Sequence, residues 1–287
     1  MSAPSVWLIT GASRGLGFET AKAALKAGHI VVAGRRGSKS TTQVTELESA
    51  GAKWIELDMM LSDIESIITK VEKEYGHIDV LVNNAGYGVG GTVEDLRTSI
   101  QTIREVMEVN VMGPIRACRA VIPIMRQQGG GAIVNISSVS GIISYPGISA
   151  YSCTKHALEG FTESLSKEIE PFKIRTLLVE PGSMPTGFLD TALSAVNVPR
   201  SEPYLGTIAD MVLSAAAGGE LVKAHGGSPV LAAARIVEAV DRTGVFADRD
   251  IGLRLPLGKE TQEIIDWGKD LAKHAEELQE IAVSIAV

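Results

Sequence analysis

Short apolar runs alternate along the first 185 residues with longer segments whose apolar positions recur every three or four residues. The short runs predict strands and the longer segments predict helices. Because the runs are continuously apolar, we expect a parallel sheet covered by helices on both faces, which is a doubly wound α/β fold. The predicted strands cover residues 6–10, 30–33, 54–57, 79–83, 132–136, 174–179 and 252–256, and the predicted helices residues 15–27, 42–49, 64–75, 100–127, 150–170 and 231–242.

The pattern weakens after the sixth predicted strand, where Gly, Ser and Pro are mixed among Ala, Leu and Val. A segment of this length predicts a helical substrate lid over residues 183–228. Residues 261–287 predict a C-terminal helix with one apolar stripe, which would pack onto the parent domain or a sister subunit. We expect one domain over residues 1–287. The stripe consists of positions seven residues apart, namely Ile264, Leu271, Leu278 and Ile285.

Composition excludes several classes of protein. The chain has 287 residues, 45% apolar and 21% charged, which suits a buried core rather than a disordered or fibrous chain. The net charge of −7 leaves no basic surplus, so neither nucleic acid nor an anionic membrane is expected as a main partner. No apolar run approaches ~18 residues, so we expect no membrane span. The N-terminus has no secretory pattern, and we expect a cytoplasmic protein. Cys118 and Cys153 have no metal-ligand spacing, so no metal site is predicted.

A glycine-rich turn over residues 10–17 joins the first predicted strand to the first predicted helix. Gly11 allows a tight turn, Gly15 lets the backbone approach a pyrophosphate, and Gly17 lets helix and strand pack closely. Such turns also end strands for local reasons, but this one begins a βαβ unit, which is typical of a Rossmann-type dinucleotide site. The predicted cofactor contacts in the turn are Gly11, Ser13, Arg14, Gly15, Leu16 and Gly17.

The end of the second predicted strand indicates which dinucleotide binds. NAD enzymes of this architecture tend to have an acidic side chain here, whereas this chain has Gly34, Arg35 and Arg36. Alone the arginines could form a solvated loop, but guanidinium groups bind a 2′-phosphate well, and Arg14 adds positive charge. We therefore predict NADP(H). Asp58, after the third strand, is either an acceptor for the adenine amino group or a turn aspartate.

The candidate catalytic residues lie after the fourth and fifth strands. Tyr151 and Lys155 are four residues apart on one predicted helix face. A nearby cation lowers a phenol pKa of ~10 by ~1–3 units, which would make Tyr151 a usable acid–base group. Such pairs are frequent accidents, but Ser138 ends the preceding strand and could hold a substrate oxygen. Asn110, just before Gly113 and Pro114, is either a helix-end residue or marks a weak point whose carbonyl holds a water.

These motifs resemble the short-chain dehydrogenase/reductase family over about residues 5–260. The resemblance rests on the turn at 10–17, on Asn-Asn-Ala-Gly at 83–86 and on four further features. These are Asn110, Ser138 thirteen residues before Tyr151, Tyr-x-x-x-Lys at 151–155, and Pro181-Gly182 with Thr186. It implies that Tyr151 is the acid/base, that Ser138 orients the carbonyl, that Lys155 lowers the phenol pKa and binds the nicotinamide ribose, and that Asn110 holds a relay water. It also implies a homodimer or homotetramer. Further implied cofactor contacts are Asn84, Ala85, Gly86, Pro181, Gly182 and Thr186.

Three stretches, at 83–88, 179–182 and 254–258, are similar to the NADP-preferring branch that includes steroid- and retinol-dehydrogenase-like oxidoreductases. The lid is largely apolar, so we expect a neutral, hydrophobic ketone or secondary alcohol as substrate. Pro185 departs from the family pattern and stiffens a segment that the family often leaves flexible. The predicted substrate contacts, each of which could equally fill core or a subunit contact, are Tyr145, Met184, Phe188 and Leu189.

The sequence therefore predicts an NADPH-dependent carbonyl reductase that also runs in reverse as an alcohol dehydrogenase. Two other classes stay open on the same fold. One is a non-catalytic NADP(H) sensor, and the other is a redox-neutral enzyme such as an epimerase, dehydratase or cyclase.

Overall fold

A sheet of seven parallel strands forms the centre of the protein, with the strand order β3-β2-β1-β4-β5-β6-β7. The computed structural model describes residues 4–61, 63–96, 100–188 and 200–285. The order reverses between β1 and β4, and open α/β sheets bind ligands at the carboxyl ends of the strands at such a point. The strands are β1 Val6–Ile9, β2 Ile30–Arg35, β3 Lys53–Glu56, β4 Val80–Asn83, β5 Gly131–Ile136, β6 Ile174–Pro181 and β7 Arg254–Leu257.

Helices cover both faces of the sheet, as predicted. Alternate residues of β1 belong to two different core clusters: Trp7 and Ile9 pack on one face, and Val6 and Leu8 on the other. Burial on both faces explains why the strands are continuous apolar runs. The helices are α1 Gly15–Lys26, α2 Thr42–Ser49, α3 Ile64–Tyr75, α4 Ile100–Met107, α5 Gly113–Gln128, α6 Ser149–Ile169, α7 Ile208–Ala217, α8 Glu220–His225, α9 Pro229–Asp241, α10 Thr261–Glu277 and α11 Gln279–Val283.

Two predicted helices are interrupted. The helix expected over residues 100–127 contains a π-helical turn, Glu108–Met112, between α4 and α5. The amide of Gly113 donates to the carbonyl of Glu108, which widens the helix by one residue. The C-terminal helix breaks at Leu278, which separates α10 from α11.

Most of the apolar stripe of the C-terminal helices is exposed against the described part of the chain, although Ile264 is half-buried. Among the described residues α10 has none that is fully buried, so little of the expected packing onto the parent domain is found. The exposed apolar side chains of α10, α11 and the residues around them are Ile265, Trp267, Leu271, Leu278, Ile281, Val283 and Ile285.

The segment predicted as a lid contains α7 and α8. Leu213 of α7 packs over Gly147, where a Cβ would lie 2.8 Å from the Leu213 Cγ. The predicted substrate residue Leu189 falls at 189–199, outside the described residues. Within the described part of the chain, no helix is both long and apolar enough to cross a membrane.

Candidate active site

The glycine-rich turn lies at the carboxyl ends of β1 and β4. Gly11 has a φ of +65°, and a Cβ there would lie 2.7 Å from the Cα of Ala85. A Cβ on Gly17 would collide with the Asn84 Nδ2 and would lie 2.6 Å from the carbonyl oxygen of Gly11. Gly17 was expected to allow close packing of helix and strand. In the structure the group that occupies the space beside Gly17 is the side-chain amide of Asn84.

Asn84 holds the turn together. Its Nδ2 donates to the carbonyls of Thr10 and Gly11, each at 3.0 Å. In return, the Thr10 hydroxyl accepts from the backbone amides of Asn84 and Ala85, both at 3.0 Å. Sequence analysis assigned no role to the Thr10 side chain, because a threonine at the end of a strand carries no distinctive signal. These four hydrogen bonds shape the turn from within.

Two arginines, Arg35 and Arg36, lie at the carboxyl end of β2, at the same edge of the sheet as the glycine-rich turn. Arg36 is exposed, and the Arg35 guanidinium lies 5.0 Å from the ring centroid of Trp54 and donates to the Lys39 carbonyl at 3.2 Å. The side chain of the N-cap residue, Arg14, makes no capping hydrogen bond to α1, and the first turn of α1 contains no acidic residue. N–H groups at a helix N-terminus beside a glycine turn attract phosphate. The residues present therefore fit a dinucleotide, and the arginines suit one with an additional phosphate.

Asp58 follows β3 and has a local role in the structure. Its Oδ1 accepts from the backbone amide of Met60 at 3.0 Å, as expected of a turn aspartate. Its contact with an adenine stays a prediction.

Three predicted catalytic side chains meet beyond the end of β5. The Ser138 hydroxyl caps a short 3₁₀ turn by accepting from the amide of Ser140 at 3.1 Å. It also lies near enough to the Tyr151 hydroxyl to act on the pKa of the phenol. Lys155 is 5% exposed, and its Nζ donates to the Ile136 carbonyl at 2.8 Å. The same Nζ lies 5.8 Å from the centroid of the Tyr151 ring.

Burial shifts the pKa values of both Tyr151 and Lys155. Burial raises the pKa of Tyr151 to about 12, while the nearby Ser138 hydroxyl acts in the opposite direction. Burial lowers the pKa of Lys155 to about 8, opposed by the charge of Glu159. The ammonium of Lys155 binds the Ile136 carbonyl, and the expected lowering of the phenol pKa by Lys155 stays a prediction. At neutral pH Tyr151 carries its proton.

Asn110 lies in the π-helical turn and joins two parts of the site. Its Oδ1 accepts from the amide of Tyr87 at 3.1 Å, and its Nδ2 donates to the Tyr87 carbonyl at 2.8 Å. Its Nδ2 also donates to the Thr154 hydroxyl at 3.0 Å, and that hydroxyl donates to the Tyr151 carbonyl at 2.8 Å. The predicted weak point in the helix is confirmed as the π turn, and the water that its carbonyl would hold stays a prediction.

The segment after β6 lies across from the glycine turn. A Cβ on Gly15 would lie 3.2 Å from the Cβ of Thr186, so these two predicted cofactor contacts face each other. The amide of Gly182 donates to the Leu257 carbonyl at 2.9 Å. The amide of Ser183 donates to the Glu260 Oε1 at 2.7 Å. Glu260 is buried and was missed, because a single carboxylate far along the chain gives no local signal.

The predicted substrate residues have different surroundings. The Phe188 ring lies beside Tyr151, with the two ring centroids 5.5 Å apart. The Tyr145 hydroxyl donates to the Glu263 Oε2 of α10 at 2.8 Å, so the C-terminal helix reaches this side of the site. Met184 is buried in a core cluster, which agrees with the alternative that it fills core, and its contact with a substrate stays a prediction.

The chain is similar to known oxidoreductases. The family model for "short chain dehydrogenase" matches residues 5–196. Oxidoreductase claN of Passalora fulva is 43% identical over 74% of this chain and 95% of its own. The 3-ketodihydrosphingosine reductase of Bacteroides thetaiotaomicron is 37% identical over 70% of this chain and 72% of its own.

Solved structures share the whole fold. A short-chain dehydrogenase from Streptomyces avermitilis covers 100% of both chains at 33% identity, with a TM-score of 0.82. A Burkholderia phymatum homologue in complex with NAD is 26% identical, with a TM-score of 0.76 over 96% of this chain and 95% of its own. A metagenomic oxidoreductase in complex with NADP is 34% identical, with a TM-score of 0.59 over 64% of this chain and 85% of its own.

A doubly wound parallel sheet with Ser138, Tyr151 and Lys155 at its carboxyl edge defines a Rossmann-type oxidoreductase. With the family match over residues 5–196, this chain belongs to the short-chain dehydrogenase/reductase family.

Proposed function

We propose that this protein is an NADPH-dependent reductase of ketones or aldehydes that also oxidises the corresponding alcohols. The observation that carries the proposal is the meeting of three side chains beyond the end of β5: the Ser138 hydroxyl acts on the Tyr151 phenol, and the buried Lys155 lies one helical turn after Tyr151. Together they form a site that can bind a carbonyl oxygen and give it a proton.

The proposed cofactor is NADP(H), which supplies or accepts the hydride when bound. The glycine turn and the start of α1 would hold the pyrophosphate, and Arg35 and Arg36 the 2′-phosphate. Lys155 would bind the nicotinamide ribose, and residues 181–186 would position the carboxamide. Among related structures, one holds NADP and another NAD, so the choice depends on the two arginines and the absence of a carboxylate at residues 34–36.

The protein's own part in the reaction is acid–base chemistry. Ser138 and Tyr151 would both donate to the carbonyl oxygen, which polarises the carbonyl. Because the pKa of Tyr151 is raised to about 12, the phenol is protonated at neutral pH and ready to donate its proton in the reductive direction. Asn110 would then hold a water that returns a proton towards Lys155.

The proposed substrate is a neutral, hydrophobic carbonyl compound. The Phe188 ring lies against Tyr151, and α7 and the turn before it present Leu205, Ile208 and Met211 as exposed apolar side chains. The related Bacteroides protein is named as a reductase of 3-ketodihydrosphingosine, which supports a ketone as the reacting group.

The test is to incubate the protein with NADPH or NADH and a panel of hydrophobic ketones and aldehydes, following absorbance at 340 nm. NADPH oxidation well above NADH oxidation supports the proposal, and Tyr151→Phe should abolish turnover while NADPH binding is retained. Arg36→Ala should weaken NADPH binding more than NADH binding. Binding without oxidation would favour the sensor or a redox-neutral enzyme, and a preference for NADH would overturn the role of the arginines.

We also propose a cytoplasmic homodimer or homotetramer. The exposed apolar stripe of α10 and α11 is a surface that subunit contact would cover. Both cysteines are free thiols, as expected in a reducing compartment. Size-exclusion chromatography with light scattering measures the assembly, and a monomer at micromolar concentration would overturn it.

A further inference from the structure

Two buried carboxylates share one guanidinium group beneath the candidate active site. Glu159 on α6 is 5% exposed and Glu180 on β6 is 1% exposed. The Nε of Arg254, on β7, lies 3.2 Å from the Glu159 Oε2 and 3.3 Å from the Glu180 Oε1. We call these three residues the buried acid cluster. Burying charged groups is costly, and apolar residues would fill the same space at lower cost, so the cluster calls for a reason beyond packing.

The cluster borders the proposed catalytic and cofactor residues on three sides. Glu159 lies one helical turn after Lys155, and Glu180 directly precedes Pro181. Ser137, which precedes Ser138, lies near the same carboxylate, since a Cβ added at Gly141 would be 2.6 Å from the Ser137 Oγ and 3.3 Å from the Glu159 Oε1. The cluster therefore lies close to the ends of β5 and β6, one helical turn from the buried amine.

The charged groups around Glu159 lie on α6, β6 and β7. Lys155 and Glu163 lie on its own helix, Glu180 on β6 and Arg254 on β7. Arg254 and Lys155 favour the ionised form of Glu159, against the effect of burial. Burial and the charge of Glu159 raise the pKa of Glu180 to about 7. Of the two buried acids, Glu159 is the one that accepts a hydrogen bond from Arg254, and its charge opposes the effect of burial on Lys155.

We propose that Glu159 is a positioning residue for Lys155, whose buried carboxylate, held by Arg254, keeps the Lys155 ammonium charged and donating to the Ile136 carbonyl. Glu159 does not touch reacting atoms in this role, and its catalytic relevance rests on the proposed function of Lys155. Without the carboxylate, burial acts on the amine unopposed, so Lys155 loses its proton at lower pH.

The experiment follows Lys155 directly, by carbon-13 NMR of protein labelled at the lysine Cε, with Lys155→Arg to assign the signal. In Glu159→Gln the pKa of Lys155 should fall by roughly one unit. Glu159→Asp keeps the negative charge and should bring the pKa of Lys155 most of the way back to its wild-type value. The matched control is Glu163→Gln, because Glu163 also accepts from Arg254, at 3.1 Å, but is about half exposed. This control should leave the titration unchanged.

Kinetics give a second measurement on the same variants. The alkaline limb of the pH profile of NADPH oxidation should move down with the Lys155 titration in Glu159→Gln and stay in place in Glu163→Gln. A folded Glu159→Gln protein with an unmoved Lys155 titration overturns the inference. If Glu159→Gln does not fold, Arg254→Gln should shift Lys155 in the same direction by weakening the charge on Glu159. If the wild type turns over no substrate, the proposed function fails while the NMR titration still decides the inference.

Discussion

A methyl group added at Gly17 should destabilise the protein strongly, although Gly17 lies in a helix where alanine is ordinarily preferred. A Cβ at this position would collide with the Asn84 Nδ2 and lie 2.6 Å from the Gly11 carbonyl oxygen. The two hydrogen bonds that Asn84 donates to Thr10 and Gly11 would be lost. Each contributes about 1 kcal/mol, and the forced shift of the turn costs about 1–3 kcal/mol more.

Alanine also has a higher helix propensity than glycine, which returns about 1 kcal/mol. Gly17→Ala should therefore lower the free energy of unfolding by about 2–4 kcal/mol. The matched control is Gly160→Ala, because Gly160 lies in α6 with nothing within 4 Å of an added Cβ. That variant should be more stable than the wild type, by up to about 1 kcal/mol.

Urea unfolding followed by circular dichroism measures both variants. A second comparison isolates the collision: Asn84→Ala combined with Gly17→Ala should cost less than the sum of the two single variants, because the displaced amide is gone. If Gly17→Ala is as stable as Gly160→Ala, the close approach of Asn84 does not govern this turn and the reasoning is refuted.

Three further predictions concern buried and exposed polar groups. Because burial raises the native pKa of Glu180 to about 7, above its unfolded value, its ionisation costs stability as pH rises towards 7. The stability that Glu180→Gln gains over the wild type should therefore be larger at pH 8 than at pH 5 in urea unfolding, and an equal gain would contradict this. Cys153 is exposed and should react rapidly with a thiol reagent. Cys118 is buried with its pKa raised to about 12, and it should react only on unfolding, so two fast equivalents would contradict the burial. Tyr145→Phe removes the hydrogen bond to Glu263 and should cost under about 1 kcal/mol overall. It should also speed amide exchange in the first turn of α10, whereas unchanged exchange would mean that this bond does not anchor the helix.

The sheet could be predicted from the sequence because each buried strand has a local pattern, a short continuous run of apolar residues. Trp7 and Ile9 pack on one face and Val6 and Leu8 on the other, so a parallel strand reads as an unbroken apolar run. The motif residues were predictable for a related reason. Strand ends in a parallel sheet meet at one edge, which brings Ser138 to Tyr151 from thirteen residues away.

Contacts between distant polar residues were not predictable. An asparagine that follows a strand, as Asn84 follows β4, is typical of a turn or of a ligand contact. The side-chain amide of Asn84 instead donates to the backbone carbonyls of Thr10 and Gly11. Glu180 and Glu260 are single carboxylates whose partners lie more than 70 residues along the chain. No local pattern marks such a residue as buried, because its burial depends on which elements pack around it.

Sequence spacing predicts that Tyr151 and Lys155 lie close together, but it does not predict the pKa of Tyr151. A lysine four residues along the helix is a sound predictor of proximity, and the Lys155 Nζ lies 5.8 Å from the phenol ring. Proximity alone leaves open how much water each group loses and which acceptor takes the ammonium. In the folded protein the ammonium donates to the Ile136 carbonyl, and burial raises the pKa of the phenol to about 12. Tyr151 is thus held as a proton donor by its surroundings, and a phenolate for alcohol oxidation requires charge that the protein alone does not place beside it.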